Sequence, residues 1–182
     1  MAMPAASDFT DTNIDTSFQR VKLVKDGEVV AELNTLADAV PLAELNYVAL
    51  SIYGDLLARY KYFDFYWQSS TRFPYFIKVN SDVVGFVLIN CHTLIQTESK
   101  NMGEFYVQKE FRKRGIGKEA ARQIFNLFPG RWEVRQLKEN SSARDFWIKV
   151  IREYTDNNFQ EVILKNEQWD GWVQTFKCTH NR

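Results

Sequence analysis

This sequence is poor in the residues that build metal centres and covalent frameworks. Its 182 residues include two cysteines, Cys91 and Cys178, and two histidines, His92 and His180. Two cysteines make no disulfide framework and point to a reduced, cytoplasmic setting. Neither histidine lies in a catalytic or metal-ligand spacing, so no metal is expected. Net charge is also missing: 23 Lys+Arg balance 23 Asp+Glu. No global field draws the chain to nucleic acid or to a membrane surface. The N-terminus lacks the charged-then-apolar form of a signal peptide, and no apolar run reaches the length of a membrane span. Internal repeats, low-complexity segments and domain linkers are absent too, which leaves one domain with a proper core.

What is plentiful is aromatic and apolar surface. Aromatics make up 15% and hydrophobic residues 45% of the chain, enough to line surfaces as well as a core, and compatible with a homodimer. Residues 1–17 are small and polar and read as a flexible tail, leaving 18–182 as the folded domain. Residues 18–33 read as a hairpin turning at Asp26-Gly27. A helix is expected from Pro41, with Leu42, Leu45, Ala49, Ile52, Tyr53 and Leu56 on one stripe and a bend at Gly54. The aromatic run Tyr60 to Trp67 packs on the core as a helix end and loop, or forms one wall of a substrate pocket. Strands are expected at Tyr75–Val79 and Val83–Ile89, the second covered on both faces, with Gly85 letting another backbone approach. Further strands fit Gln160–Leu164 and Trp172–Phe176, with Asp170-Gly171 as the turn between them.

The chain is organised around the stretch from Glu104 to Lys118. A short strand places Phe105 and Val107 on one side and Glu104, Tyr106 and Gln108 on the other. A basic loop with Lys109, Arg112, Lys113, Arg114 and Gly115 follows, then a helix with Ile116, Ala120, Ile124, Leu127 and Phe128 on one stripe, stopped by Pro129-Gly130. Strand, glycine loop and helix N-terminus make an anion site, since glycines admit a ligand to the backbone and unpaired N–H groups point at it. A solvated basic loop or a nucleic-acid contact is the competing reading of the charges. The interleaved glycines favour a compact phosphate ligand.

The spacing Arg112-x-x-Gly115-x-Gly117 is neither a dinucleotide fingerprint nor a P-loop. It resembles the pyrophosphate loop of the GNAT superfamily of acetyl-CoA-dependent N-acetyltransferases. A second segment, Asn140, Ala143 and Phe146-Trp147 after the strand Trp132–Arg135, is similar to that superfamily's Asn-x-x-Ala motif. The resemblance implies an α/β (α+β) fold, a mixed and mostly antiparallel sheet of about six to seven strands flanked by helices, here with an N-terminal hairpin extension. It implies acetyl-CoA as co-substrate, held by Arg112, Lys113, Arg114, Gly115, Ile116, Gly117, Lys118 and Asn140. Pantetheine would lie between the family's fourth and fifth strands against backbone groups of Tyr106 and Val107, and an N–H near Val107 would stabilise the developing oxyanion. Asn140 alternatively only caps its helix.

Acetyl transfer to an amine needs a base, and Glu104 is the best-placed carboxylate, directly or through water; Glu133 is second. An exposed carboxylate at a strand start is the plainer reading of Glu104. Where many members of the superfamily carry a tyrosine acid, this chain has Trp147, whose indole is no acid. Tyr106, Tyr154 or solvent remain for that role. The expected activity is direct transfer in a ternary complex to a small-molecule or protein amine; the alternative is a catalytically silent acyl-CoA-binding or sensing domain.

Overall fold

The computed structural model of the protein describes residues 23–25, 28–35, 65–79 and 82–179. The expected tail, the Asp26-Gly27 turn, the helix from Pro41 and His180 all lie outside the described residues.

The described elements form one eight-stranded sheet in the order β1-β2-β3-β4-β5-β6-β8-β7. The strands are β1 (Leu23–Lys25), β2 (Glu28–Thr35), β3 (Phe73–Val79), β4 (Asp82–Asn90), β5 (Ser99–Val107), β6 (Gly130–Leu137), β7 (Phe159–Lys165) and β8 (Asp170–Cys178). Six of them, β3 to β8, make the expected mixed sheet. Every pairing is antiparallel except β5 with β6. A parallel pair needs a crossover, and the helix α2 (Ile116–Leu127) supplies it. A short helix, α1 (Phe65–Gln68), precedes β3, and α3 (Ser141–Tyr154) links β6 to β7.

The two long helices among the described residues, α2 and α3, cover one face of the sheet. Val87, Phe105, Val107, Ile124, Trp132, Trp147 and Ile151 share a single buried cluster. Phe125 of α2 sits at its centre, meeting Trp132, Tyr154 and Phe176 edge-on with ring centroids 5.1, 5.2 and 5.0 Å apart. Each such contact adds about 0.5–1.5 kcal/mol beyond area burial. The α2 stripe is displaced from its expected course. Leu127 is exposed, and Ala121 and Phe125 are buried beside Ile116, Ala120 and Ile124. The helix ends at Leu127, so its last side chain clears the sheet.

β4 is buried from Val84 to Asn90, as its two apolar faces require. Its Gly85 is indispensable sterically: a Cβ there would lie 2.1 Å from the Tyr106 carbonyl oxygen. Two expectations about strand limits are corrected. β5 begins at Ser99, well before Glu104, because its polar residues Ser99 and Asn101 are buried rather than looped out. Asp170 and Gly171 pair with Lys165 and Leu164 inside the β7–β8 ladder, so they are no turn. The reversal lies just before them, where the Asn166 side-chain oxygen accepts from the N–H groups of Gln168 and Trp169 at 3.0 and 2.9 Å.

Candidate active site

The parallel pairing of β5 and β6 is short. It runs from Ser99 opposite Arg131 to Met102 opposite Val134 and stops. β5 continues beside β4 to Val107, and β6 continues beside β8 to Leu137. The two strands therefore part and open a cleft in the sheet. The Gln108 N–H donates to the Val84 carbonyl at 2.7 Å. N–H groups alternate sides along an antiparallel ladder, so the Val107 N–H points away from β4, to the side β6 has left.

At the mouth of the cleft stands the N-terminus of α2. A turn of 3-10 helix, Lys109–Phe111, carries the chain out of β5. Lys113 (φ 59°) and Gly115 (φ 78°) then adopt left-handed conformations to reach the helix start. Gly115 provides no side-chain cap. The first N–H bonded within the helix is that of Glu119, to the Gly115 carbonyl at 3.0 Å. The N–H groups of Ile116, Gly117 and Lys118 precede it and are directed outward with the positive end of the helix dipole. Lys109, Lys113 and Arg114 are exposed around this point. That donor set suits a pyrophosphate.

Three of the basic side chains make contacts of their own. The Arg114 guanidinium lies 5.8 Å from the Phe111 ring centre. Arg112 Nε donates to the Val107 carbonyl at 2.8 Å, and its guanidinium lies 5.3 Å from the Tyr106 ring centre. Lys118 Nζ is 3.2 Å from Glu153 Oε2, tying α2 to α3. Asn140 caps α3, its Oδ1 accepting from the Ala143 N–H at 3.2 Å.

Glu104 lies on the face of β5 opposite α2 and α3 and is 3% exposed. It is not the exposed carboxylate of a strand start. Its Oε2 is buried with no hydrogen-bond partner, and burial pushes its carboxyl well above the usual range. Beside it on this face runs a chain of buried amides. Asn101 Nδ2 donates to Asn90 Oδ1 at 3.1 Å, and Asn90 Nδ2 donates to the Tyr66 hydroxyl at 2.9 Å. Arg135 Nε donates to Asn101 Oδ1 at 3.1 Å. Tyr66, from the aromatic run, is thus buried against this face of the sheet.

Glu133, the second candidate base, is fully buried and fully engaged. Its two oxygens accept from the backbone N–H groups of Leu94, Ile95 and Gln96 at 2.8, 2.8 and 2.7 Å. It anchors the loop before β5. Trp147 is also fully buried, edge-on to Phe105 at 5.1 Å. The Asn90–Asn101–Arg135 chain went unread in the sequence. The signal for it is Asn90, a lone amide closing the apolar run of β4. Among the described residues, no group of three or more His, Cys, Asp or Glu is placed to hold a metal ion, and no helix is long and apolar enough to cross a membrane.

A sheet whose parallel pair, among the described strands, parts beside a glycine-started helix is the arrangement that the resemblance to the GNAT superfamily implies. Residues 42–150 match the family model described as the acetyltransferase (GNAT) family, and the chain belongs to that family. No curated protein matches the chain in sequence. Solved structures share its fold. An acetyltransferase from Thermus thermophilus matches over 80% of this chain and 96% of its own, with a TM-score of 0.53 and 13% identity. The ribosomal-protein-S18-alanine N-acetyltransferase from Escherichia coli matches over 81% and 94%, with a TM-score of 0.55 and 10% identity. A GNAT family acetyltransferase from Elizabethkingia anophelis, solved with acetyl-CoA bound, matches over 80% and 96%, with a TM-score of 0.50 and 14% identity.

Proposed function

We propose that the chain is an acetyl-CoA-dependent N-acetyltransferase that passes the acetyl group directly to an amine held in the same cleft. The observation that carries this reading is the opening between β5 and β6, with the outward N–H groups of α2 at its mouth and the buried Glu104 on its far face. In this reading the N–H groups of Ile116, Gly117 and Lys118 hold the pyrophosphate, with Lys113 and Arg114 adding charge. Acetyl-CoA supplies a thioester carbonyl open to attack by nitrogen. The Val107 N–H donates to that carbonyl and fixes its direction. Glu104 takes the proton that the incoming ammonium must lose. As the nitrogen bonds to the acetyl carbon the C–S bond breaks, and the CoA thiolate leaves and takes its proton from water. Burial of Glu104 raises its pKa, the direction in which a carboxylate becomes a stronger base. Holding both reactants in one cleft supplies much of the rate. Arg112 serves by bracing the end of β5 at Val107 rather than by meeting phosphate directly, and Asn140 by starting α3.

The acceptor is an amine, carried on a small molecule, a peptide or a protein. A second reading, a silent acyl-CoA-binding domain, is favoured by one observation: Trp147 stands buried in apolar surroundings where an acid is customary. The test follows free thiol from acetyl-CoA while small amines and peptide N-termini and lysines are offered in turn. Thiol release that depends on the amine is expected. Tight CoA binding with no turnover on any amine would establish the silent reading instead.

A further inference from the structure

Gln136 lies two positions beyond Val134, the last β6 residue facing β5, and its side chain is fully buried. Its Nε2 donates to Gln174 Oε1 on β8 at 2.9 Å. Gln174 Nε2 donates in turn to Glu161 Oε2 on β7 at 2.6 Å. Arg144 of α3 grips the same carboxylate, Nε at 3.2 Å and Nη2 at 2.7 Å, with its guanidinium 3.9 Å from the Trp172 ring centre.

The direction of this relay is forced. A carboxylate paired with Arg144 only accepts hydrogen bonds, so Gln174 must turn its NH2 group to Glu161. That leaves the Gln174 oxygen for Gln136, which must answer with its own NH2 group. Gln136 is left with Oε1 at the end of the chain, and this oxygen is buried with no hydrogen-bond partner. An orphaned acceptor in a fully buried place is costly and calls for a donor. Because Nε2 is turned toward β8, Oε1 on the other branch of the amide is turned away from β8, and at this level β5 has left the opposite flank of β6.

We infer that Gln136 is a binding residue of the parted strands, its Oε1 accepting a hydrogen bond from a secondary-amide N–H on the pantetheine arm of the acyl carrier. The inference rests on the acyl-CoA reading above. The arm is an apolar chain broken by two secondary amides, each with one N–H. The Arg144–Glu161 pair keeps Gln136 from flipping into a donor, so this level of the cleft selects an N–H over a carbonyl.

Calorimetry with two ligands tests it: CoA, and adenosine 3′,5′-bisphosphate, which has the nucleotide end and no arm. Gln136→Met keeps the length and removes the acceptor. It is expected to weaken CoA roughly tenfold and to leave the bisphosphate unchanged. Glu161→Gln keeps Gln136 but frees the relay to reverse, and is expected to weaken CoA severalfold while sparing the bisphosphate. It carries the test if Gln136→Met does not fold. Wild-type affinity for CoA in both variants, or equal losses for both ligands, would overturn the inference alone. A wild-type protein that binds neither ligand would overturn the acyl-CoA reading and the inference with it.

Discussion

Asn101 and Glu104 lie on the same face of β5, although an odd step of three positions separates them. A regular strand would set them on opposite faces. Between them Gly103 forms a bulge: Leu88 faces Glu104 and Ile89 faces Met102, leaving Gly103 unpaired. The bulge turns Met102 and Phe105 together toward the helices, and Asn101 and Glu104 together toward the opposite face. It sits where β5 loses β6, so one irregularity both ends the parallel pair and aims the candidate base. Bulges next to sites do this by bending the strand and re-aiming a side chain.

Gly103 should therefore tolerate no side chain. A Cβ there would meet Asn90 Nδ2 at 2.6 Å and the Tyr66 hydroxyl at 2.8 Å. Gly103→Ala is expected to lower stability by about 1–3 kcal/mol, the usual range for overpacking. Turnover should fall further than that loss explains, because Glu104 moves with the bulge. Urea unfolding and steady-state rates check both parts, and an unchanged midpoint with wild-type turnover would refute the account.

Gly117→Asp should cut CoA affinity at least tenfold in a variant that keeps its circular dichroism. Gly117 is buried in the first turn of α2, among the outward N–H groups. A carboxylate there takes those donors for itself and repels a pyrophosphate. Unchanged affinity by calorimetry would remove the helix start from the cofactor site.

Trp147→Phe separates packing from chemistry. The Trp147 Nε1 is buried without a partner, so no hydrogen bond is lost with it. The smaller ring leaves space between Phe105, Phe125 and Phe146, worth about 1–3 kcal/mol of stability by the usual cost of a partly collapsed cavity. Turnover should stay within about threefold of wild type, well under the hundredfold or more of a positioned proton donor. A steep loss with full stability would give the indole a direct part in the reaction.

The half of the fold that carries the glycine loop was legible because its signals are local. Phe105 and Val107 alternate as a strand does, and Gly115 and Gly117 bracket a helix start. The two faces of β4 announce their own burial, and Gly85 its close approach to Tyr106. What stayed hidden depends on non-local pairing. No pattern within Ser99 to Gly103 reveals a bulge, since it exists only in the register against Leu88 and Ile89. Glu104 reads as exposed from its neighbours in sequence and is buried by elements distant in sequence. Glu133 reads as a second base from the sequence, and only the fold brings the loop 94–96 to donate three N–H groups to it. Gln136 and Gln174 are ordinary polar residues until two strand pairings and one helix bring them into line.

Burial of Glu104 predicts a particular pH dependence of stability. Its carboxyl is held above its ordinary range by burial, so the folded state keeps a proton that the unfolded state has lost. Stability then falls as pH rises from the unfolded value, about 4.3, through the folded one. Glu104→Gln removes that loss. The variant should match the wild type in acid and grow relatively more stable as pH climbs. Denaturant unfolding across the pH range measures the difference, and parallel curves for the two proteins would show that Glu104 ionises freely.

The same substitution tests the chemistry. If Glu104 takes the proton from the incoming ammonium, Glu104→Gln should lower the maximal rate by on the order of a hundredfold to ten-thousandfold. Acetyl-CoA binding should hardly change, because Glu104 lies on the face of β5 away from the helix start proposed for the pyrophosphate. The amide keeps the shape of the carboxylate but accepts no proton. The deficit should shrink at high pH, where more of the amine is already neutral and needs no base. Rates measured against pH at saturating acetyl-CoA show this directly. A variant within about threefold of wild type throughout, far short of the span expected for a positioned base, would exclude Glu104. Since Glu133 is held by three backbone N–H groups, the proton would then have to leave through water.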